Sequence, residues 1–312
     1  MGCILLKHTF RSISPFGKNG AGWSKRKVVR ASSPFFFDRI VSMRLTKEQK
    51  FLYTRIAILV ATVLWIAFAF AGLKGFPFWY GGFVLCFWLA FGLLNYSEHT
   101  TLWLLAHKRI PFLLFYGAIA SSFFLLDRMA LDAHLWFYPL YHGWLWAVGY
   151  LVWYPAAAFS VLELFYFLAR ACGERLVFHH RKKTVWHDAL DWGEGGLFLL
   201  MSGMIVLGAI SAISLFWLFV VSFAWFLLAN GKLMFHIAHA KHLVLILLAT
   251  GALAAFLNEV PNTGALEWIN LVAPLLSTLF LGVPLWMVLG WYWFTLFTLR
   301  LWLFLVLHPK VK

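Results

Sequence analysis

From Ile56 to Leu73 the chain carries no charged side chain, and Lys74-Gly75-Phe76-Pro77 ends the run. A bilayer's hydrocarbon core is crossed by roughly 20 such residues in a helix. A second uncharged run follows at once, Phe78–Tyr96. The third begins at Pro111, a residue tolerated in a first helical turn, and ends at Asp127-Arg128. The fourth spans Gly143 to Leu168 with Pro155 inside it, where a kink is expected. Past Gly196 an apolar run reaches Ala229. It is long for one crossing and short for two, and a tight turn near Ser211–Ser214 would divide it. His242–Leu257 is the next helix, closed by the connection NEVPNTGALEW. The last run, Ile269–Leu307, contains Pro274 and Pro284. It reads as one crossing plus an interfacial helix, or as two crossings. The expectation is an all-α, polytopic integral membrane protein with about eight transmembrane helices, a single domain over 55–312.

Composition excludes the soluble alternative. Hydrophobic residues make up 62% of the chain and charged residues 12%, against roughly half and a quarter in soluble domains. The formal charge of +14 could suggest nucleic acid. Its distribution argues against that partner. Twelve of the 26 Lys and Arg lie in the first 55 residues, and most others sit between apolar runs. That is how charge orients a membrane protein. Residues 1–54 read as a basic, disordered tail, transit-like or preceding a true start at Met43. The N-terminus is predicted cytoplasmic. Ser97–Arg109, the polar loop 172–196 and Gly231–Lys241 then fall on the same side. Walker, GxGxxG, GxSxG and HExxH signatures are absent. Three scattered cysteines give no CxxC.

The polar loop CGERLVFHHRKKTVWHDALDWGEGG divides the apolar halves and carries His179, His180 and His187, with Asp188, Asp191 and Glu194 close behind. On the same predicted side lie His99, beside Glu98, and the segment HIAHAKH, with His236, His239 and His242 spaced about a helical turn apart. Neutral imidazole is the commonest metal ligand. These seven histidines are candidate ligands for iron or zinc set against a lipid chain. Membrane desaturases and hydroxylases place histidines in this manner, but no HxxxH motif and no pair of HxxHH boxes occurs here. The alternative is plain: imidazoles suit headgroup interfaces, and Arg181-Lys182-Lys183 is an orientation signal.

Glu163 is the sharper single residue. It lies in FSVLELFYF, with no cation before Arg170. An ionisable group inside a bilayer costs several kcal/mol, of order 3 on insertion scales, and marks function by default. It is a candidate proton donor to an apolar substrate. The opposing reading puts it near enough to the interface to meet water or Arg170. Asp127 and Arg128, at a helix end, read first as a boundary feature.

Asp127, Trp136 nine residues beyond it, FYPLYHG at 137–143 and the later helix with Glu163 together resemble the carotenoid-type lycopene cyclase domain over about 40 residues. That family has an Asp, a Trp, a Tyr and a Gly at similar spacing before a helix opening with Pro and paired acids. The paired acids are absent here, and no second copy is visible in the sequence. The resemblance implies acid catalysis on an isoprenoid, with Asp127 and Glu163 as the acids. The leading expectation is therefore a membrane-embedded enzyme for a lipid or isoprenoid. A transporter or channel, and a non-catalytic scaffold, are the rivals. Pro155, Pro274 and Pro284 leave room for the broken helices of a transporter.

Overall fold

The computed structural model describes residues 46–97, 100–132, 134, 136–174, 240–271, 279–280 and 283–305. They are mostly helical. Seven helices run in order: α1 (Lys47–Leu73), α2 (Trp79–Leu94), α3 (Thr101–His107), α4 (Arg109–Asp132), α5 (Trp144–Ala171), α6 (Ala240–Ala265) and α7 (Leu285–Leu305). Three of them, over 48–73, 144–171 and 242–265, are long and apolar enough to cross a membrane. Strands of two residues pair antiparallel, β1 (Trp136–Phe137) with β2 (Ile269–Asn270) and β3 (Leu279–Phe280) with β4 (Val283–Pro284).

α1 opens on a capping box. Thr46 Oγ1 accepts from the Gln49 N–H, and Gln49 Oε1 accepts from the Thr46 N–H, which satisfies two otherwise orphaned donors. Its outer face is apolar, with Phe51, Leu59, Val63 and Phe70 all more than half exposed. A continuous apolar face of this kind suits hydrocarbon rather than water.

α5 is the hub. Every residue from Pro155 to Tyr166 is buried. Phe159 is surrounded by Trp88 of α2 and by Phe112 and Phe115 of α4, with ring centroids 4.9–5.6 Å away. The alanines at 156–158 let neighbouring helices approach, as small residues do in helical membrane bundles. Pro155 lacks the N–H that the Leu151 carbonyl would otherwise accept. A π-turn at Gly149–Trp153 precedes it, and the Tyr116 hydroxyl of α4 donates to the Leu151 carbonyl instead. The expected kink is a local change of helix type repaired from outside.

The connections depart furthest from the sequence expectation. α3 lies within what reads as a polar link, and α4 continues past Arg128 to Asp132. α6 does not stop at Leu257. It runs through Pro261 to Ala265, so most of NEVPNTGALEW is helix. Asn258 Nδ2 donates back to the Ala254 carbonyl at 2.7 Å. Beyond the helix end, Leu266 adopts a left-handed conformation (φ 53°). Asn262 Oδ1 accepts from the backbone N–H groups of Glu267 and Trp268, and Asn262 Nδ2 donates to the Trp268 carbonyl. Residues that look like loop formers are here a helix end and its cap. Gly264 lies against the end of α1, where an added Cβ would stand 2.4 Å from the Leu73 carbonyl oxygen.

One end of the bundle is defined by the β1–β2 pair, the α1–α2 turn and the end of α6. Toward the other end lie α3, the end of α5 and the start of α6, where Glu174 meets His242.

Candidate carboxylate sites

Five carboxylates are buried among the described residues: Asp127, Glu163, Glu174, Glu259 and Glu267. Glu163, on α5, is fully buried. Its Oε1 accepts from the Thr101 backbone N–H at 2.8 Å and the Thr101 hydroxyl at 2.5 Å, and its Oε2 accepts from Asn95 Nδ2 at 3.0 Å. Asn95 Nδ2 also donates to the Glu163 carbonyl at 2.6 Å. Trp88 Nε1 donates to the Thr101 hydroxyl at 2.7 Å. Asn95 is the C-cap of α2 and Thr101 opens α3. Glu163 thus ties α2, α3 and α5 together. The expected alternative partner, Arg170, donates to Ser97 instead.

Asp127, near the end of α4, is also buried. Its Oδ1 accepts from Trp136 Nε1 (2.9 Å), the Tyr138 hydroxyl (2.7 Å) and the Tyr154 hydroxyl (2.6 Å), and its Oδ2 from the Tyr150 hydroxyl (2.5 Å). Tyr138 and Tyr154 hydroxyls also lie 2.5 Å apart. Tyr150 and Tyr154 stand one turn apart on α5 with stacked rings, 5.7 Å between centroids. Burial, together with the charge of Asp127, holds the Tyr138 hydroxyl well above the usual phenol range, so it keeps its proton. The helix-boundary expectation for Asp127 is inadequate: three phenols and an indole converge on it. Tyr150 and Tyr154 could have been noticed by their i, i+4 spacing, whereas nothing local links Asn95 or Thr101 to Glu163.

Two further acids were missed by sequence reasoning, because both fall in what reads as a connection. Glu259 accepts from Trp268 Nε1 (3.0 Å), Asn270 Nδ2 (3.1 Å) and Trp291 Nε1 (2.9 Å). Glu267 reaches the start of α2, accepting from the Tyr80 N–H at 3.2 Å and from the N–H groups of Trp79 and Phe78. The N-cap Phe78 has no side chain able to serve that helix end and sits in a left-handed conformation. Glu267 supplies the missing acceptor from another part of the chain. Tyr141 donates to its second oxygen. Burial raises the Glu267 carboxyl above the ordinary range, while these hydrogen bonds pull the other way.

Of the proposed metal ligands, His99, His179, His180, His187, His236 and His239 lie outside the described residues. His242 is described, and its Nδ1 lies 2.7 Å from Glu174 Oε1. No group of three or more His, Cys, Asp or Glu side chains able to hold a metal occurs among the described residues. A scan against protein-family models, a search of curated proteins and a search of solved structures each find no match.

Proposed function

We propose that this chain is a polytopic membrane enzyme acting on a lipid or isoprenoid chain, with Asp127 as its proton-transfer group. The observation that carries this reading is the donor set on Asp127. Tyr138, Tyr150 and Tyr154 each bring a hydroxyl that can pass a proton on, and the Tyr138–Tyr154 contact links two of them. Glu163 meets an amide, a backbone N–H and one threonine already engaged by Trp88, a set suited to holding helices in place. Among the two acids singled out in the sequence, the reactive role falls to Asp127. The resemblance to the lycopene cyclase domain points the same way, since its Asp and Trp are the hydrogen-bonded pair Asp127–Trp136.

About eight crossings with a cytoplasmic N-terminus form part of the proposal. The Glu174–His242 contact supports it, because it brings the two ends of the segment 175–239 to one end of the bundle. That suits an even number of crossings between them, with the polar loop and HIAHAKH on the side of the N-terminus. An iron or zinc centre built from His99, His179, His180, His187, His236, His239 and His242 is the accompanying hypothesis. Metal analysis of detergent-purified protein tests it. Stoichiometric iron or zinc, lost in His236→Ala or His239→Ala, supports it, and metal-free active protein ends it.

The activity is tested by expressing the chain and comparing membrane lipid and pigment extracts with those from Asp127→Asn. A new product that disappears in the variant is expected. Unchanged extracts from the wild type would overturn the enzyme reading. A specific observation favours one alternative, a proton-coupled transporter: the π-turn at Gly149–Trp153 interrupts α5 beside Tyr150 and Tyr154. Broken helices at a buried acid are a transporter feature. Substrate-driven acidification inside liposomes, with no chemical product, would decide for it.

A further inference from the structure

The described charges divide unequally between the two ends of the bundle. At the end that holds the start of α1, α3 and the end of α5 stand Arg55, Lys108, Arg109 and Arg170, all exposed. Two acids at this end, Glu163 and Glu174, are buried and already engaged, Glu163 by Thr101 and Asn95, Glu174 by His242. The acid left exposed there among the described residues is Glu48, in the first turn of α1. The opposite end sets Lys74 and Arg128 against three buried acids, Asp127, Glu259 and Glu267. A leaflet that carries anionic lipid attracts the basic end of such a bundle.

Two of these cations belong to a built surface. α3 is short, and Thr101 and Leu104 are its buried residues. Thr101 is held by Glu163, so the position of α3 is set from inside the bundle. The Trp103 indole stacks on the His107 imidazole, ring centroids 4.8 Å apart, and His107 Nδ1 lies 2.9 Å from the Trp103 carbonyl oxygen. The Lys108 ammonium stands over the same indole, 5.6 Å from the ring centroid, within cation–π range. Arg109 follows at the start of α4, whose first turn contains no acid. Tryptophan is enriched at the headgroup level of a bilayer, where Lys and Arg meet lipid phosphates.

Along α4 the surface then turns apolar. Ile110, Leu113 and Leu114 follow a helical stripe, and each is more than half exposed. Gly117 continues that stripe, and a Cβ added there would meet no atom within 4 Å. Its missing side chain leaves a shallow notch among the leucines.

We propose that the α3–α4 junction binds one anionic phospholipid. Lys108 and Arg109 hold the phosphate, Trp103 lies at the glycerol level, and an acyl chain follows α4 over Leu113 and the notch at Gly117. An arginine meets phosphate oxygens through parallel N–H groups and a lysine as a compact charge. A phosphatidylglycerol-type headgroup suits this pair better than phosphatidylcholine, whose own cation would be added to two others. A free phosphate would leave the apolar stripe uncovered. The site is independent of the reaction proposed above.

The test uses the full chain, reconstituted into vesicles of equal parts phosphatidylglycerol and phosphatidylcholine and extracted again in a neutral detergent. Native mass spectrometry reads the lipids that stay bound. Wild type should retain phosphatidylglycerol in preference to phosphatidylcholine. Lys108→Gln with Arg109→Gln should lower that preference about thirtyfold, the worth of two cations at an anionic membrane surface, with melting unchanged because both side chains are exposed. Lys108→Arg with Arg109→Lys should keep it. Lys74→Gln with Arg128→Gln removes the same charge from the opposite end and should also keep it. Wild-type preference in Lys108→Gln with Arg109→Gln overturns the proposal. So does an equal loss in Lys74→Gln with Arg128→Gln, since net charge alone would then explain retention. Gly117→Leu fills the notch without changing charge and should weaken retention, and undiminished retention removes the acyl chain from the α4 stripe. Excess inorganic phosphate should leave the lipid in place, and displacement would assign the site to a phosphate ion instead.

Discussion

Glu163 and Asp127 are both almost wholly buried, and each is held by hydrogen bonds from uncharged donors. Their surroundings differ in one respect that matters. Glu163 is gripped mainly by N–H groups fixed in the backbone or an amide, at the junction of α2, α3 and α5. Asp127 is gripped mainly by phenols, three of its four donors, two of them on α5 and one in the connection before it. Equal burial thus accompanies different chemistry. A carboxylate whose donors cannot release protons acts as a structural tie, and one whose donors are hydroxyls has a route for proton movement. Depth in the bundle alone does not separate them.

The comparison breaks most sharply through activity. Asp127→Asn should lower turnover by about 10²–10⁴-fold, the usual worth of a general acid, with a melting temperature close to wild type in the same detergent. Glu163→Gln should do the reverse, leaving turnover per folded molecule unchanged. If Glu163→Gln removes turnover from protein that still melts like wild type, the assignment of roles is wrong.

Stability supplies the next largest effect. Glu163→Ala strands the Thr101 N–H and hydroxyl, leaves the Asn95 amide only the residue 163 carbonyl, and opens a void, at about 3 kcal/mol or more by the cost of unsatisfied buried groups and cavities. Denaturant or thermal titration of the purified protein reads it. A loss within ~0.5 kcal/mol would mean that the tie is dispensable. Gly264→Ala should cost about 1–3 kcal/mol, as overpacking does, since the added methyl meets the backbone of α1.

Smaller effects sharpen the phenol side. Tyr154→Phe and Tyr138→Phe should each cost roughly 1 kcal/mol of stability, yet each should lower turnover by more than the same substitution at Tyr166, which serves Trp302 away from Asp127. Equal effects at all three positions would remove the special role of the cluster.

The smallest is a pH dependence at Glu267. Its folded carboxyl titrates above the unfolded value, because burial outweighs the bonds from Tyr141 and from the start of α2. The native state therefore holds its proton to higher pH than the unfolded chain. This contribution to stability is full below the unfolded value and declines as pH rises through the folded one. Glu267→Gln should flatten that part of the stability curve.

Much of the bundle was legible from the chain itself. Apolar stretches with few or no charges marked α1, α2, α4, α5 and α6, because hydropathy is carried by residues adjacent in the chain. Pro155 marked the place where α5 changes helix type, since proline acts through covalent geometry and near neighbours, whereas the start of α1 at Lys47, capped by Thr46, lies in what reads as tail. Glu163 stood out as a charge inside an apolar helix, and its burial follows directly. What it touches did not stand out, because Asn95 and Thr101 are 68 and 62 residues away.

Tertiary structure alone decided the rest. Asn258 to Ala265 has the composition of a turn, yet it is helix, because the side chain of Asn262 and the packing of Gly264 on α1 satisfy what its sequence leaves open. Glu259 and Glu267 became visible as buried acids only with that helix in place. The nine-residue spacing from acid to tryptophan was present twice in the sequence, but so few other residues match that only the hydrogen bonds and the paired strands give it meaning. Hydropathy is a sum over neighbours along the chain, so sequence carries it. A hydrogen-bond partner is a neighbour in space, and folding must bring it there.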